Sequence, residues 1–214
     1  MKKVIVSFTS WPKRINNVAK VIFSLLNQSV KPDSIELNLS IEEFPNKEND
    51  LPNELKIMYE NKLFIINWVD KNTKSFKKLF PTLKKYYGDD YYILTIDDDR
   101  LYGPDYIKSM VEEIRNCDSF SCFTHCVIGL GMIYNASIFN KEIWEKLSQK
   151  IIETGVDDAY IEAYLKYKNA KMKSNNRQIL NMIKPYNEVE PLHDFYLQYN
   201  RVKIAEELSK QLWN

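Results

Sequence analysis

The sequence predicts an α/β fold with a mixed, mainly parallel sheet flanked by helices. Two observations carry that expectation. Short apolar runs alternate with stretches of helical periodicity, the pattern of strands joined by crossover helices. The chain, at 214 residues with 44% hydrophobic and 13% aromatic residues, is long and apolar enough for one domain or two small interlocked lobes, with one continuous core as the default.

Val4, Ile5 and Val6 predict a buried first strand that ends over Ser7 to Ser10. Pro12 closes it, and Ile15, Val18, Ile22, Leu25 and Leu26 then share one face of a helix. Ile35, Leu37, Leu39 and Ile41 alternate with polar residues, so the second strand is expected to have a wetter face and to lie toward an edge. Residues 42–61 read as loop with a helical turn, and 63–68 as a third strand ending at Asp70. Pro81 suits the first turn of a helix bearing Leu83, Tyr86 and Tyr87, which Gly88 stops. Tyr91 to Ile96 is a fourth strand running into Asp97, Asp98 and Asp99, and a helix with Ile107, Met110, Val111 and Ile114 inward follows from Pro104.

The second half is less regular. An uncharged stretch, 119–140, is long enough to span a bilayer, but it holds seven polar side chains of Ser, Thr, His and Asn. Gly129 and Gly131 suit a turn between buried extended segments instead. One helix is expected through Phe139, Ile143, Trp144, Leu147 and Ile151, and another begins at Asp157 or Asp158 after Gly155. Pro185, Pro191 and His193 lie in irregular chain before an amphipathic helix with Val202, Ala205, Leu208 and Leu212.

Composition excludes several functions. Thirty basic against twenty-nine acidic residues leave a formal charge of +1, without the positive field that nucleic acid requires. Five glycines form neither a dinucleotide nor a P-loop fingerprint. The odd set Cys117, Cys122 and Cys126, and an N-terminus too quickly polar for a secretion signal, point to a reducing cytoplasm. His125 beside two of these cysteines lacks the ligand spacing of a zinc site.

The strongest chemical signal is the run of three aspartates just past a buried strand, because ligands of open α/β sheets gather at the carboxyl ends of strands. In extended chain Asp97 and Asp99 point to one side, with Cα atoms about 6–7 Å apart, and Asp98 to the other. Two carboxylates about 4 Å apart repel by about 4 kcal/mol at an effective dielectric of 20, so they call for a cation, a proton or open solvent. Mg²⁺ or Mn²⁺ suits such oxygens and keeps positions open for substrate phosphates. On the residues alone, a solvated acidic turn is an equal alternative.

Several segments together resemble a known family. TSWPKRI at 9–15, SLLNQSVKPDSIELNLS at 24–40, KSFKKLFPTLKKY at 74–86 and ILTIDDDRLY at 93–102 resemble a bacterial branch of the GT-A glycosyltransferases. GMIYNASIF at 131–139 and VDDAYIEAYL at 156–165 resemble the acceptor half of the same enzymes. The resemblance covers most of the chain. It implies one GT-A domain, with a nucleotide-sugar half over 1–102 and an acceptor half over 103–214. It also implies transfer from a nucleotide sugar, a UDP-sugar first, to a hydroxyl of a glycan or lipid-linked glycan, with inversion, in capsule or lipopolysaccharide synthesis.

The resemblance gives roles to particular positions. Asp97 and Asp99 match the D-x-D motif that holds Mn²⁺ or Mg²⁺ on the diphosphate, and Asp98 the middle acid near the ribose or donor sugar. Thr9, Ser10 and Asp70 match the nucleobase pocket, and Lys77 or Lys78 approaches the nucleotide. His193 matches a histidine that returns to the metal. Asp157 and Asp158 match the acidic pair that includes the base, with Asp158 first; helix capping is the plain alternative. The branch tends to have Trp where this chain has Asn38 and Tyr160, which is expected to alter the acceptor pocket. Tyr102, Trp144 and Tyr160 are candidates for stacking a sugar ring. The lysines of 71–85 suit a solvated face or an anionic membrane surface, so peripheral association at the inner membrane face and a homodimer are both compatible with the reading. Two other functions suit the same residues: a metal-dependent nucleotidyltransferase, which would release pyrophosphate, and a non-catalytic binder of sugar nucleotides.

Overall fold

The computed structural model describes residues 2–123, 131–186 and 201–213. A seven-stranded sheet runs in the order β3-β2-β1-β4-β7-β6-β8. Its first four members in space, β3 (Ile65–Val69), β2 (Ser34–Ser40), β1 (Lys3–Thr9) and β4 (Tyr91–Thr95), are parallel to one another. Beyond β4, β7 (Met132–Asn135) is antiparallel to it, β6 (Ser119–Ser121) is antiparallel to β7, and β8 (Met172–Ser174) is parallel to β6. A two-stranded ribbon pairs β5 (Arg100–Tyr102) with β9 (Ile183–Pro185), so Pro185 ends a short strand rather than lying in irregular chain.

Helices cover both faces. The apolar positions of α1 (Val18–Leu26), with those of α2 (Asn53–Glu60) and α4 (Tyr106–Ile114), join Val4, Val6, Phe8, Leu37, Leu39 and Leu94 in one core. On the other face α3 (Phe80–Tyr86), α7 (Asp157–Tyr167) and α8 (Arg201–Trp213) pack with Ile93 and Tyr134 in a second core. Pro81 sits in the first turn of α3, and Gly88, at φ +79°, follows its end, as predicted. Among the described residues no helix is long and apolar enough to cross a membrane.

Three further expectations are corrected. The second strand is not toward the edge: β2 lies between β3 and β1, and its polar residues Glu36, Asn38 and Ser40 are all buried. Their partners are polar side chains of β3, β1 and α3 rather than water. The helix expected over 139–151 is two, α5 (Glu142–Glu145) and α6 (Gln149–Thr154). Ser148 is extended and its hydroxyl accepts from Ile151 N, and that cap competes with continuing the first helix. Asp157 and Asp158 occupy the first turn of α7, but Val156 is the cap residue and no side-chain cap bond forms.

Candidate active site

The parallel strands set the site. Thr9, Ser40, Val69 and Thr95 are the last residues of β1, β2, β3 and β4, so Ser10, Asp70 and the aspartate run all leave the sheet at one carboxyl edge. Asp70 is exposed there. Thr9 Oγ1 donates to the Asn38 carbonyl (2.7 Å), tying β1 to β2 at that edge.

The aspartates do not alternate as extended chain would. The chain turns after Thr95 because Tyr102, buried at 3% exposure, returns its hydroxyl to the run: Asp97 N donates to Tyr102 Oη (2.9 Å). Tyr186 N donates to the Asp99 carbonyl (2.9 Å), so the β5–β9 ribbon clamps the turn from beyond. The geometry pairs Asp98 with Asp99 rather than Asp97 with Asp99. Arg14 Nη1 donates to Asp98 Oδ1 (3.0 Å) and Asp99 Oδ2 (3.1 Å), and Ser10 Oγ donates to Asp98 Oδ2 (2.6 Å). Arg100 flanks Asp99 at 3.4 Å. Asp97 instead receives Lys78, whose Nζ donates to Oδ1 at 2.5 Å.

Electrostatics join this cluster to α7. Burial pulls the Lys78 ammonium down, but Asp97, Asp157 and Asp158 together outweigh it and hold the group above the ordinary lysine range. Burial pushes the Asp97 carboxyl up to about 6 against the pull of Lys78, and Asp99 and Asp98 add to the rise. Burial also raises Asp98, opposed by Arg14 and Ser10. Asp157 is buried, and its Oδ2 has no hydrogen-bond partner among the described residues. Asp158 is half-buried. The two acidic segments, some sixty residues apart, thus act on one lysine.

Not every predicted residue faces this cluster. Lys77 is buried and donates to Glu43 and Asn72, joining the loops after β2 and β3; Ser40 Oγ donates to the same Glu43 carboxylate (2.7 Å). Asn38 is fully buried beside Ser7, Thr82 and Asn67, and Tyr160 is fully buried against Phe76, Phe80 and Trp213, so neither lines an open acceptor pocket. Burial likewise removes Tyr102 and Tyr160 as platforms for a sugar, whereas Trp144 keeps part of its surface, edge-on to Tyr87. His193, with His125, Cys126 and Pro191, lies outside the described residues. Arg14 was missed. It stands in the TSWPKRI segment just past β1, and a cation at that carboxyl edge was the available signal.

The donor set suits a hard divalent ion. Asp97 and Asp99 supply carboxylate oxygens, here facing Lys78, Arg14 and Arg100, and Asp157 Oδ2 is a buried oxygen without a hydrogen-bond partner among the described residues. Among the described residues no group of three His, Cys, Asp or Glu side chains gathers on one point.

No protein-family model matches the sequence, and no curated protein does. Solved structures do match. The mannosyltransferase PcManGT from Pyrobaculum calidifontis, in complex with GDP-Man and Mn²⁺, aligns at TM-score 0.54 and 13% identity over 80% of this chain and 54% of its own. S. aureus TarS aligns at 0.55 and 13% identity over 99% of this chain and 42% of its own. Glucosyl-3-phosphoglycerate synthase from Mycobacterium tuberculosis, in complex with Mn²⁺, UDP-Glc and phosphoglyceric acid, aligns at 0.59 and 12% identity over 98% and 80%. The fold is that of the GT-A glycosyltransferases. The chain spans about half the length of the first two of these proteins.

Proposed function

We propose that this chain is a nucleotide-sugar-dependent glycosyltransferase that uses Mn²⁺ or Mg²⁺. The observation that supports the reading most is the gathering of Asp97, Asp98, Asp99, Lys78 and the Asp157–Asp158 pair about one carboxyl edge. Structural neighbours crystallised with Mn²⁺ and GDP-Man or UDP-Glc support the donor class. We assign Asp97 and Asp99, with His193, to the ion; Thr9, Ser10, Asp70 and Asp98 to the nucleoside side; and Lys78, rather than Lys77, to the diphosphate.

When bound, the divalent ion supplies Lewis-acid neutralisation of the charge that the departing diphosphate gains. The chain does the rest. Arg14 and Ser10 fix Asp98, so the run presents one arrangement to the nucleotide. Lys78 brings an ammonium to the same edge. Asp158 at the start of α7 takes the proton of the attacking hydroxyl, with Asp157 second. We further infer a UDP-sugar donor, a glycan or lipid-linked glycan acceptor, inversion, and a cytoplasmic role in surface polysaccharide synthesis, with residues 1–102 serving the donor and 103–214 the acceptor.

The test is a panel of UDP- and GDP-sugars with glycan acceptors in Mn²⁺. A nucleoside diphosphate and a glycosylated product are expected, with turnover lowered about 100-fold or more in Asp99→Ala. Undiminished turnover in that variant removes the metal role, and release of pyrophosphate instead assigns nucleotidyl transfer. Anomeric NMR of the product reads inversion.

A further inference from the structure

The buried polar face of β2 has no part in the chemistry above, yet it holds one end of Lys78. The Lys78 carbonyl accepts from Ser7 Oγ (2.6 Å), which in turn accepts from Asn38 Nδ2 (3.0 Å); Thr82 Oγ1 lies 2.7 Å from the same Ser7 oxygen. Ser7, Asn38 and Thr82 are fully buried. The backbone of Lys78 is therefore pinned at the end of the turn Lys74–Lys78, while its flexible four-carbon stem carries the ammonium to Asp97. Arg14 is the contrasting cation, its guanidinium engaged by Asp98 and Asp99 together.

We propose that Lys78 is a built-in counter-ion of the aspartate run: a divalent cation and the Lys78 ammonium are alternatives on the Asp97 carboxylate, and the ammonium so displaced passes to the diphosphate of the donor. The inference rests on the nucleotide-sugar reading. Its physical basis is that a largely buried carboxylate is unfavourable without a cation, so without metal the protein needs a positive group where Lys78 stands. A dication at the same carboxylate repels the ammonium at contact range, and only side-chain torsions stand between Lys78 and a new partner. Diphosphate draws Lys78 off Asp97 and thereby favours metal; metal frees Lys78 and thereby favours diphosphate, a reciprocal coupling.

The experiment measures Mn²⁺ binding to the full chain without nucleotide, by the electron paramagnetic resonance of free Mn²⁺, for wild type and Lys78→Met. With its competitor gone, the variant is expected to bind Mn²⁺ about tenfold tighter. Its affinity for UDP in saturating Mn²⁺, with GDP as second probe, is expected to fall about tenfold. Asp97→Asn provides an independent arm should Lys78→Met fail to fold by circular dichroism. It releases the ammonium without any metal, so it is expected to bind UDP in EDTA more tightly than wild type does. Unchanged or weaker Mn²⁺ binding by folded Lys78→Met, or unchanged or weaker metal-free UDP binding by Asp97→Asn, overturns the counter-ion role and leaves the donor reading standing. A wild-type protein that binds neither Mn²⁺ nor UDP nor GDP overturns the donor reading itself.

Discussion

Asp157 and Asp158 are adjacent in sequence and differ in what surrounds them. Asp157 is turned into the protein, at 5% exposure, with one oxygen lacking a hydrogen-bond partner among the described residues, while Asp158 is only half-buried. Both act on Lys78 through space. The division predicts that Asp158→Asn lowers kcat by about 10²–10⁴ with little change in UDP affinity, the usual worth of a general base. Steady-state kinetics and calorimetric UDP titration check it; a larger loss of kcat in Asp157→Asn reverses the assignment. The aspartate run was legible as a site because three acids past an apolar run are conspicuous. Its internal pairing was not, because Arg14 and Lys78 come from 85 and 19 residues away and choose which oxygens they meet.

At the scale of elements, β1, β4, α1 and α4 were readable because each buries an apolar face, and apolar periodicity reports that directly. β2 was misread for a physical reason: alternation records that one face is polar, not whether water or polar side chains meet it. Glu36 on that face accepts from Asn67 Nδ2 (2.7 Å), Thr82 Oγ1 (3.1 Å), Lys85 Nζ (3.2 Å) and Tyr86 Oη (2.8 Å), and it is fully buried. Removing it strands several donors at once, so Glu36→Ala is expected to lower unfolding stability by about 3 kcal/mol in urea titration. The exposed Glu60→Ala serves as comparison and should stay within about 0.5 kcal/mol of wild type. A loss in Glu36→Ala no larger than that would show the network to be dispensable. β7 carries a second element-level constraint. Gly131, just before it, has φ +107°, and a Cβ there would sit 1.8 Å from Tyr106 Oη. Gly131→Ala is therefore expected to cost about 2 kcal/mol or more, from backbone strain and from the displaced ring of α4. Pairing it with Tyr106→Phe should recover part of the loss, and a strictly additive double-mutant cycle would deny the contact.

For the whole molecule, burial of ionisable groups sets the response to alkali. Burial pushes the Cys122 thiol from 9.0 up to about 12, and raises the phenols of Tyr102, Tyr106 and Tyr134 well above their ordinary 10.0. Each group is easier to deprotonate in the unfolded chain. Their contribution to stability is therefore complete below about pH 9 and is lost as the pH rises toward the folded-state values. The urea midpoint is expected to fall steadily above pH 9, with the last phenolate absorbance at 295 nm appearing together with loss of the far-ultraviolet signal. Ionisation of all fourteen tyrosines in a still-folded protein would contradict this burial. An α/β class, its leading strands and an acidic run at a carboxyl edge follow from composition and periodicity, since these are local signals written in neighbouring residues. The tertiary structure alone decided that β2 is interior, that Lys78 serves Asp97 while Lys77 serves Glu43, and that the α7 acids share a field with the aspartate run. Those outcomes depend on partners distant along the chain, and only packing brings such charges within range of one another.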